Sequence, residues 1–438
     1  MRSAVSFIES KRDGKSHSRE ELEAFVESCL SGRIPDYQIA AWLMAVFFRG
    51  MDDGELAAFT LALADSGQKV VFPDDIQPVD KHSTGGVGDK TTLVVVPLAA
   101  ACGVPVAKIS GRGLGFTGGT IDKLESIPGF SAHLEMSDFI RQVRTIGCAV
   151  SGHSRDLAPA EALFYETRDV TATVPSLPLI ASSIISKKIA GGSKSFVFDV
   201  KCGSGAFMRD AQEARTLASL LVALAGKTGF PSTAIITGMD QPLGRWVGNA
   251  AEVNEAIEVL SGGGPSDTRK LCLEIAGAMI DIGNSATSPG EGFRAAGAAL
   301  ASGKGLERFI AMVTSQGGAG AFEKPDSRLP LARTVVDILS PGDGVVTACR
   351  ARSFGEAVRL LGGGRFTKED SIRYDAAVEV ICKKGAKVSR GDVLARLYVP
   401  DGVDPEGAVA MIGDAFETGE RADSVEIIGE VISGDAFS

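Results

Sequence analysis

Lys81-His82-Ser83-Thr84-Gly85-Gly86-Val87-Gly88-Asp89-Lys90-Thr91-Thr92, with its echo Ser110-Gly111-Arg112-Gly113-Leu114-Gly115-Phe116-Thr117-Gly118-Gly119-Thr120, is the stretch on which the reading of this chain turns. Each run mixes glycines with hydroxyl and cationic side chains, the mixture an oxyanion needs. Glycines let backbone N–H groups approach closely, hydroxyls donate further bonds, and Lys or Arg supplies opposing charge. Either run alone reads equally well as a tight structural turn. Two runs with the same load point to one divided phosphate site.

Outward from these loops the pattern is that of an α/β protein. A short run into Val79 enters the first loop, and Thr92 to Ala101 reads as a buried helix. Val104 to Ser110 reads as a strand entering the second loop, with a short helix near Ile121 to Ser126. Ligands of such folds gather at the carboxyl ends of strands. Before residue 70 the spacing predicts three helices, opened by the capping box Ser18-x-x-Glu21, by Pro35 and by Asp52-x-x-Glu55. Ser176 and Pro178 open a helix to Ala190, Phe196 to Val200 is a strand, Ala211 to Gly226 a long helix, and Ala234 to Ile236 a further strand. Beyond about residue 330, short strands (Val345–Ala351, Ala376–Ile381, Val393–Val399) alternate with glycine turns. The phrase running from Lys383 to Leu394 has the character of a small β barrel.

Composition narrows the function classes. A chain of 438 residues exceeds one core, so two or three domains are expected. Net charge is −10 with no basic run, which argues against nucleic-acid binding. No segment approaches the ~20 apolar residues of a membrane span. The seven cysteines are scattered, without a C-x-x-C pair, and only four histidines exist. A Cys/His metal site is therefore not expected, and reduced thiols in a cytoplasmic protein are. Gly113-x-Gly115-x-x-Gly118 matches a dinucleotide fingerprint, but no acidic residue ends a strand at the required distance. The first loop fails the P-loop spacing because Asp89 separates Gly88 from Lys90. Ser183 and Lys187, four apart, share one helix face. That face is a candidate for holding a carbonyl-rich heterocycle or is simply solvated. Arg168 precedes that helix, and His82 sits within the phosphate loop, placed to donate a proton or a hydrogen bond.

The block Ser110-Gly111-Arg112-Gly113-Leu114 through Thr117-Gly118-Gly119-Thr120-x-Asp122-x-Leu124-Glu125 resembles the signature of the thymidine and pyrimidine-nucleoside phosphorylases. So do Lys81 to Asp89, Tyr165-x-Thr167-Arg168-Asp169-Val170-Thr171-Ala172-Thr173-Val174, Asp199-Val200-Lys201 and Gly205-Ala206-Phe207-Met208. The resemblance spans nearly the whole chain. It implies reversible phosphorolysis of pyrimidine nucleosides (uridine, thymidine, deoxyuridine), with inorganic phosphate as co-substrate and no cofactor. It also implies an α/β multidomain fold of the nucleoside phosphorylase/phosphoribosyltransferase-like kind. A small all-helical domain (1–69 and 160–193) holds the base. A large α/β domain with a central mixed sheet (70–159 and 194–330) holds phosphate, and 331–438 forms a C-terminal α+β domain. A homodimer is expected. By the same carry-over, Lys81, Ser83, Thr92, Ser110 and Thr120 bind phosphate. Arg168, Ser183 and Lys187 bind the base, and His82 lies near the pyrimidine O2, so His82, Arg168 and Lys187 form the catalytic set.

Three positions qualify the resemblance. Lys108 shares a strand face with Ser110 and stands where thymidine-restricted relatives carry methionine, so it is expected to reach ribose hydroxyls. Phe116 stands where relatives commonly carry histidine. Lys90 stands at a loop position that in relatives contributes to a structural potassium site, while the opposing Glu255 is kept; Lys90 is expected to replace the ion. The rivals are a thymidine-restricted phosphorylase, an anthranilate phosphoribosyltransferase-like enzyme, which would lack the C-terminal region, an archaeal-type AMP phosphorylase, which carries an additional N-terminal domain, and a silent nucleoside-binding paralogue.

Overall fold

The computed structural model describes residues 3–113, 115–154, 156–284, 288, 290–322, 327–367 and 369–434. Four helices open the chain: α1 (Ala4–Arg12), α2 (Arg19–Leu30), α3 (Asp36–Arg49) and α4 (Asp53–Ala64). The sequence reading missed α1, which buries little besides Phe7 and Lys11 and so carries a weak apolar stripe. Two groups anchor it: Phe7 stacks on Phe25 in the aromatic core, and the Lys11 ammonium reaches the buried Glu55 carboxylate of α4 at 2.5 Å. The Ser18 capping box forms as its spacing predicts.

The first α/β stretch follows as β1 (Val79–Ser83), α5 (Thr91–Ala101), β2 (Val106–Ser110), α6 (Thr120–Glu125), α7 (Met136–Ile146) and β3 (Cys148–Gly152). The chain then returns to the helices with α8 (Pro159–Val170) and α9 (Leu177–Ala190). Ala160, Phe164 and Leu179 of this pair complete the aromatic core built by Phe25, Trp42 and Phe59. A second α/β stretch runs through β4 (Ser195–Cys202), α10 (Ala211–Lys227), β5 (Ser232–Gly238), β6 (Trp246–Val247), α11 (Asn249–Leu260), α12 (Ser266–Asn284), α13 (Glu291–Ala301) and α14 (Lys304–Ser315). The last region holds β7 (Thr334–Leu339), β8 (Gly344–Cys349), α15 (Ala351–Val358), β9 (Ala377–Val380), β10 (Lys387–Val388), β11 (Val393–Val399), α16 (Glu406–Gly413), β12 (Phe416–Gly419) and β13 (Ile428–Ser433).

The central sheet has the order β13-β5-β4-β1-β2-β3, parallel except for the antiparallel edge strand β13. It is mixed, and β13 caps its open edge from the far end of the chain. Two findings depart from the sequence reading of the last region. Its strands form two antiparallel sheets, β10-β8-β12 and β6-β9-β11-β7, and not a barrel, because β10 and β11 pair with different neighbours. The region is also not closed on itself: β13 joins the central sheet, and β6, from the α/β stretch, pairs with β9. Backbone pairing of strands far apart in sequence leaves no local signal.

Candidate active site

The first loop leaves β1 at Ser83 and enters α5 at Thr91. Gly88 makes the turn possible: its φ is +71°, and a Cβ there would lie 2.5 Å from the Leu243 carbonyl oxygen. Lys81 is fully buried, its ammonium donating to Thr91 Oγ1 at 2.6 Å and facing the Asp199 carboxylate at 2.9 Å, which it shares with Lys201. Burial works against the Lys81 charge, but Asp199 and Asp89 more than offset it and raise its pKa. Ser83 Oγ donates to Asp89 Oδ2 at 2.5 Å. Burial also opposes the Asp89 charge, yet Lys201, Lys81, Lys123 and that hydroxyl hold its pKa well below the usual carboxylate range. Thr92 lies in the first turn of α5 and is buried.

The second loop adjoins the first. β2 runs parallel beside β1, so Ser110 and Ser83 end neighbouring strands. Lys123 of α6 donates to the Asp89 carbonyl at 2.7 Å and pairs with Glu252 at 2.7 Å. Thr120 begins α6. Asp122 gathers the loop, accepting from Gly113 N at 2.6 Å, Arg112 at 3.2 Å and Arg365 at 2.9 Å. Phe116 is buried, 5.8 Å from the Phe207 ring and beneath the Arg352 guanidinium at 4.6 Å. Leu114 lies outside the described residues.

The opposite wall is helical. Arg168 precedes α9 and occupies the last turn of a helix of its own, α8. Glu161, Tyr165 and Arg168 are spaced i, i+4, i+7 along it, hence on one face. The sequence reading passed over Glu161, and this spacing was the signal that could have found it. Arg168 is buried and donates to the carbonyls of Val174 at 2.7 Å and Leu179 at 3.0 Å, with its Nε unpartnered. Burial lowers its pKa, partly countered by Glu161. On α9, Ser183 is buried and Lys187 half-buried, so theirs is no solvated face; Lys187 Nζ donates to Ser183 Oγ at 3.1 Å and lies 3.0 Å from Glu161 Oε1. The Tyr165 ring lies 5.7 Å from the Arg168 guanidinium and 5.4 Å from the Lys187 ammonium.

Between the walls, burial and the charges of Lys188, Lys108, Lys187 and Lys81 push the His82 pKa well below its ordinary value. The imidazole is neutral at pH 7 and can give a hydrogen bond, but it is no reservoir of an imidazolium proton. His153, which sequence reasoning did not single out, follows Gly152, the register partner of Ser110. Lys108 departs from its expected place. It is buried, donating to the Lys81 carbonyl at 2.7 Å and the Ile109 carbonyl at 3.2 Å, with Asp80 3.3 Å away. Burial and the neighbouring Lys188, which takes the Asp80 carboxylate at 2.6 Å, push its pKa well down. Strand alternation could not show that the amine would be taken up by carbonyls of β1 and β2 and by Asp80.

Lys90 is also fully buried. Its ammonium donates to the carbonyls of Leu243 and Trp246, each at 2.9 Å, and pairs with the Glu255 carboxylate. Glu255 in turn accepts from the backbone N–H of Arg245 at 2.7 Å and Trp246 at 3.2 Å. Two carbonyls and a carboxylate are the oxygen set a monovalent cation takes, and here the ammonium already holds all three. The residues present do not fit a potassium ion.

Three comparisons bear on this geometry. Residues 5–67 match the model of the glycosyl transferase family helical bundle domain, 75–306 the glycosyl transferase family a/b domain, and 345–419 the pyrimidine nucleoside phosphorylase C-terminal domain. Among curated proteins, the chain is 46% identical over 395 residues to a pyrimidine-nucleoside phosphorylase of Staphylococcus epidermidis (90% of this chain, 91% of the relative). It is 46% identical over 398 residues to one from Geobacillus stearothermophilus (90% and 91%), and 44% identical over 422 residues to a thymidine phosphorylase of Agrobacterium fabrum (95% and 96%). Among solved structures, the anthranilate phosphoribosyltransferase of Thermus thermophilus superposes with a TM-score of 0.59 at 18% identity, covering 70% of this chain and 98% of that one, a likeness of fold. With all three domain models matched in order and identities of this size along most of its length, the chain belongs to the thymidine/pyrimidine-nucleoside phosphorylase family.

Proposed function

We propose that this chain catalyses the reversible phosphorolysis of pyrimidine nucleosides (uridine, thymidine and deoxyuridine) to free base and (deoxy)ribose 1-phosphate. Family membership supports this, and one observation of the site carries it. Ser83 and Ser110 end the neighbouring strands β1 and β2, and the ammonium groups of Lys81, Lys123 and Lys201 gather around Asp89 of the first loop. Hydroxyls and cations collected at two adjoining glycine loops are the donors a phosphate anion needs.

In this reading Lys81, Ser83, Thr92, Ser110 and Thr120 hold phosphate, and Arg168, Ser183 and Lys187 hold the base. A phosphate oxygen forms a bond to the anomeric carbon as the N-glycosidic bond breaks, and the bonding pair leaves on the base. Arg168 and Lys187 stabilise that negative charge, neutral His82 donates a hydrogen bond near O2, and phosphate stabilises the oxocarbenium character of the sugar. No covalent enzyme intermediate is required. The base side is helical and the phosphate side α/β, so closure of the two walls brings the substrates together. No cofactor takes part, and Lys90 stands for the potassium of relatives. The test is uracil release from uridine with and without phosphate. Phosphate-dependent release with matching ribose 1-phosphate is expected; no release, or release indifferent to phosphate, overturns the reading.

The Lys108 geometry favours a second reading, a thymidine-restricted enzyme, because its amine is engaged by carbonyls and Asp80 and not held out to a 2′-hydroxyl. Parallel assays with uridine and thymidine separate the two. We also infer a homodimer. Tyr37 (70% exposed), Ala41, Met44 and Phe48 (76% exposed) follow one another at helical spacing along α3, an apolar stripe of the kind a second copy covers. Phe48→Glu should convert a dimer to a monomer in size-exclusion chromatography with light scattering; a monomeric parent protein would end this inference. Seven free cysteines suit a reducing, cytoplasmic setting, and no helix among the described residues is long and apolar enough to cross a membrane.

A further inference from the structure

Glu161 lies at the start of α8, side chain 6% exposed, and its Oε1 accepts the hydroxyl proton of Ser183 while facing the Lys187 ammonium at 3.0 Å. A carboxylate has no proton to return, so the direction of that bond is fixed. Ser183 carries a single proton, and it is committed to Glu161. Its oxygen already accepts one N–H from Lys187 at 3.1 Å. Toward a ligand, Ser183 therefore presents a lone pair and nothing else. Lys187 has three donors, of which one faces Ser183 and one Glu161, leaving one to give. Arg168, with two nitrogens engaged on carbonyls, keeps an unpartnered buried Nε.

Resting on the phosphorolysis reading, we propose that Glu161 is a positioning residue that sets the polarity of Ser183 and so selects the edge of the base. An acceptor flanked by donors complements an imide, carbonyl–N–H–carbonyl. A 4-aminopyrimidine presents the reverse at two of those atoms: its ring nitrogen sets a lone pair against the Ser183 lone pair, and its amino group sets a donor against a donor. A site of buried, directed polar groups rejects such a ligand strongly because its own groups are left unpaired. Without Glu161 the Ser183 hydroxyl is free to rotate and donate, and the rejection weakens.

The test compares binding of uracil and cytosine by titration calorimetry, in the presence of phosphate, for the full chain and for Glu161→Gln, Glu161→Asp and Ser183→Ala, with thermal melts to confirm folding. The parent protein should prefer uracil; Glu161→Gln, whose amide can donate to Ser183, should lose at least tenfold of that preference, and Glu161→Asp should retain most of it. In the Ser183→Ala background the Glu161→Gln change should no longer move the ratio. A folded Glu161→Gln protein that weakens on both bases equally shows a merely structural role and overturns the proposal, as does a parent protein without preference for uracil. Binding of free bases does not require turnover. Selective uracil binding without phosphate-dependent uridine cleavage would therefore count against phosphorolysis while leaving the role of Glu161 standing.

Discussion

Removing the Lys90 side chain is the most informative single perturbation of this site. Lys90→Ala would leave the Glu255 carboxylate buried without its cation and the carbonyls of Leu243 and Trp246 without their donor. Breaking a buried ion pair by deleting one partner costs about 3–5 kcal/mol, far more than the pair contributes over an apolar replacement. The loss should concentrate where the pair acts, between the first loop and the segment of residues 243–255. A lower melting temperature should therefore accompany a rise in KM for phosphate, with KM for nucleoside moving less. Gly244→Ala offers an independent way in. With φ at +72°, its Cβ would lie 2.5 Å from Glu255 Oε2 and 2.8 Å from Lys90 Nζ, so it perturbs the pair without removing a charge. Lys90→Arg should not rescue, because a planar guanidinium does not fill a compact ammonium site. Lys90→Thr restores a neutral oxygen beside two carbonyls and a carboxylate, and its activity should become potassium-dependent. The assays are differential scanning fluorimetry and phosphorolysis in potassium against tetramethylammonium salts. A Lys90→Ala protein melting within a degree of the parent, or a parent strongly activated by potassium, would refute the reasoning.

Lys187→Ala and His82→Ala should each lower turnover by ~10²–10³ while leaving the fold intact; near-normal kcat in either folded variant removes that residue from the chemistry. Because the folded-state pKa of His82 lies below its ordinary value of about 6.5, its contribution to stability is fully present above that pH and declines as the pH falls below it toward the folded pKa. Urea midpoints should accordingly drop on acidification from pH 6.5, less so in His82→Gln; identical slopes would show that His82 is not the group responsible. Uridine and thymidine should both be cleaved. A uridine kcat/KM thousands of times below that of thymidine in the parent protein would replace the dual-substrate reading by the thymidine-restricted one.

What could be read from the sequence follows from what is local. Helices with strong caps, the buried α5 and α9, and strands β4, β5 and β11 declare themselves through spacing, because cap chemistry and side-chain period act over a few residues. The two glycine loops were legible for the same reason. Pairing across the chain was not: β13 and β6 are assigned by backbone bonds to strands almost two hundred residues away in one case and more than a hundred in the other. The sequence places residues 160–193 among the helices but leaves the bounds of α8 unread, because Ala158 precedes it in a left-handed conformation and no side chain caps it, so its entry carries no sequence mark beyond Pro159. Without the bounds of α8, the sharing of one face by Glu161, Tyr165 and Arg168 goes unread.

The same distinction explains which part of the site is chemistry and which is support. The groups assigned to substrates carry motif signals because they cluster at two loops and on the neighbouring helices α8 and α9. The groups that hold them (Asp80, Asp199, Glu161, Glu252, Glu255) are single carboxylates on separate elements. Each is recognisable only once folding has brought it against its lysine. Every one faces at least one ammonium, and Asp80 and Asp199 each face two. Such pairs are weak contributors to net stability when intact and costly to break, so their value lies in register. Asp80 bonds Lys188 of helix α9 from the strand that carries Lys81 and His82. That bond ties α9 to β1 two residues before His82, so the position of α9 against the first loop is set by a buried pair and not by apolar packing alone.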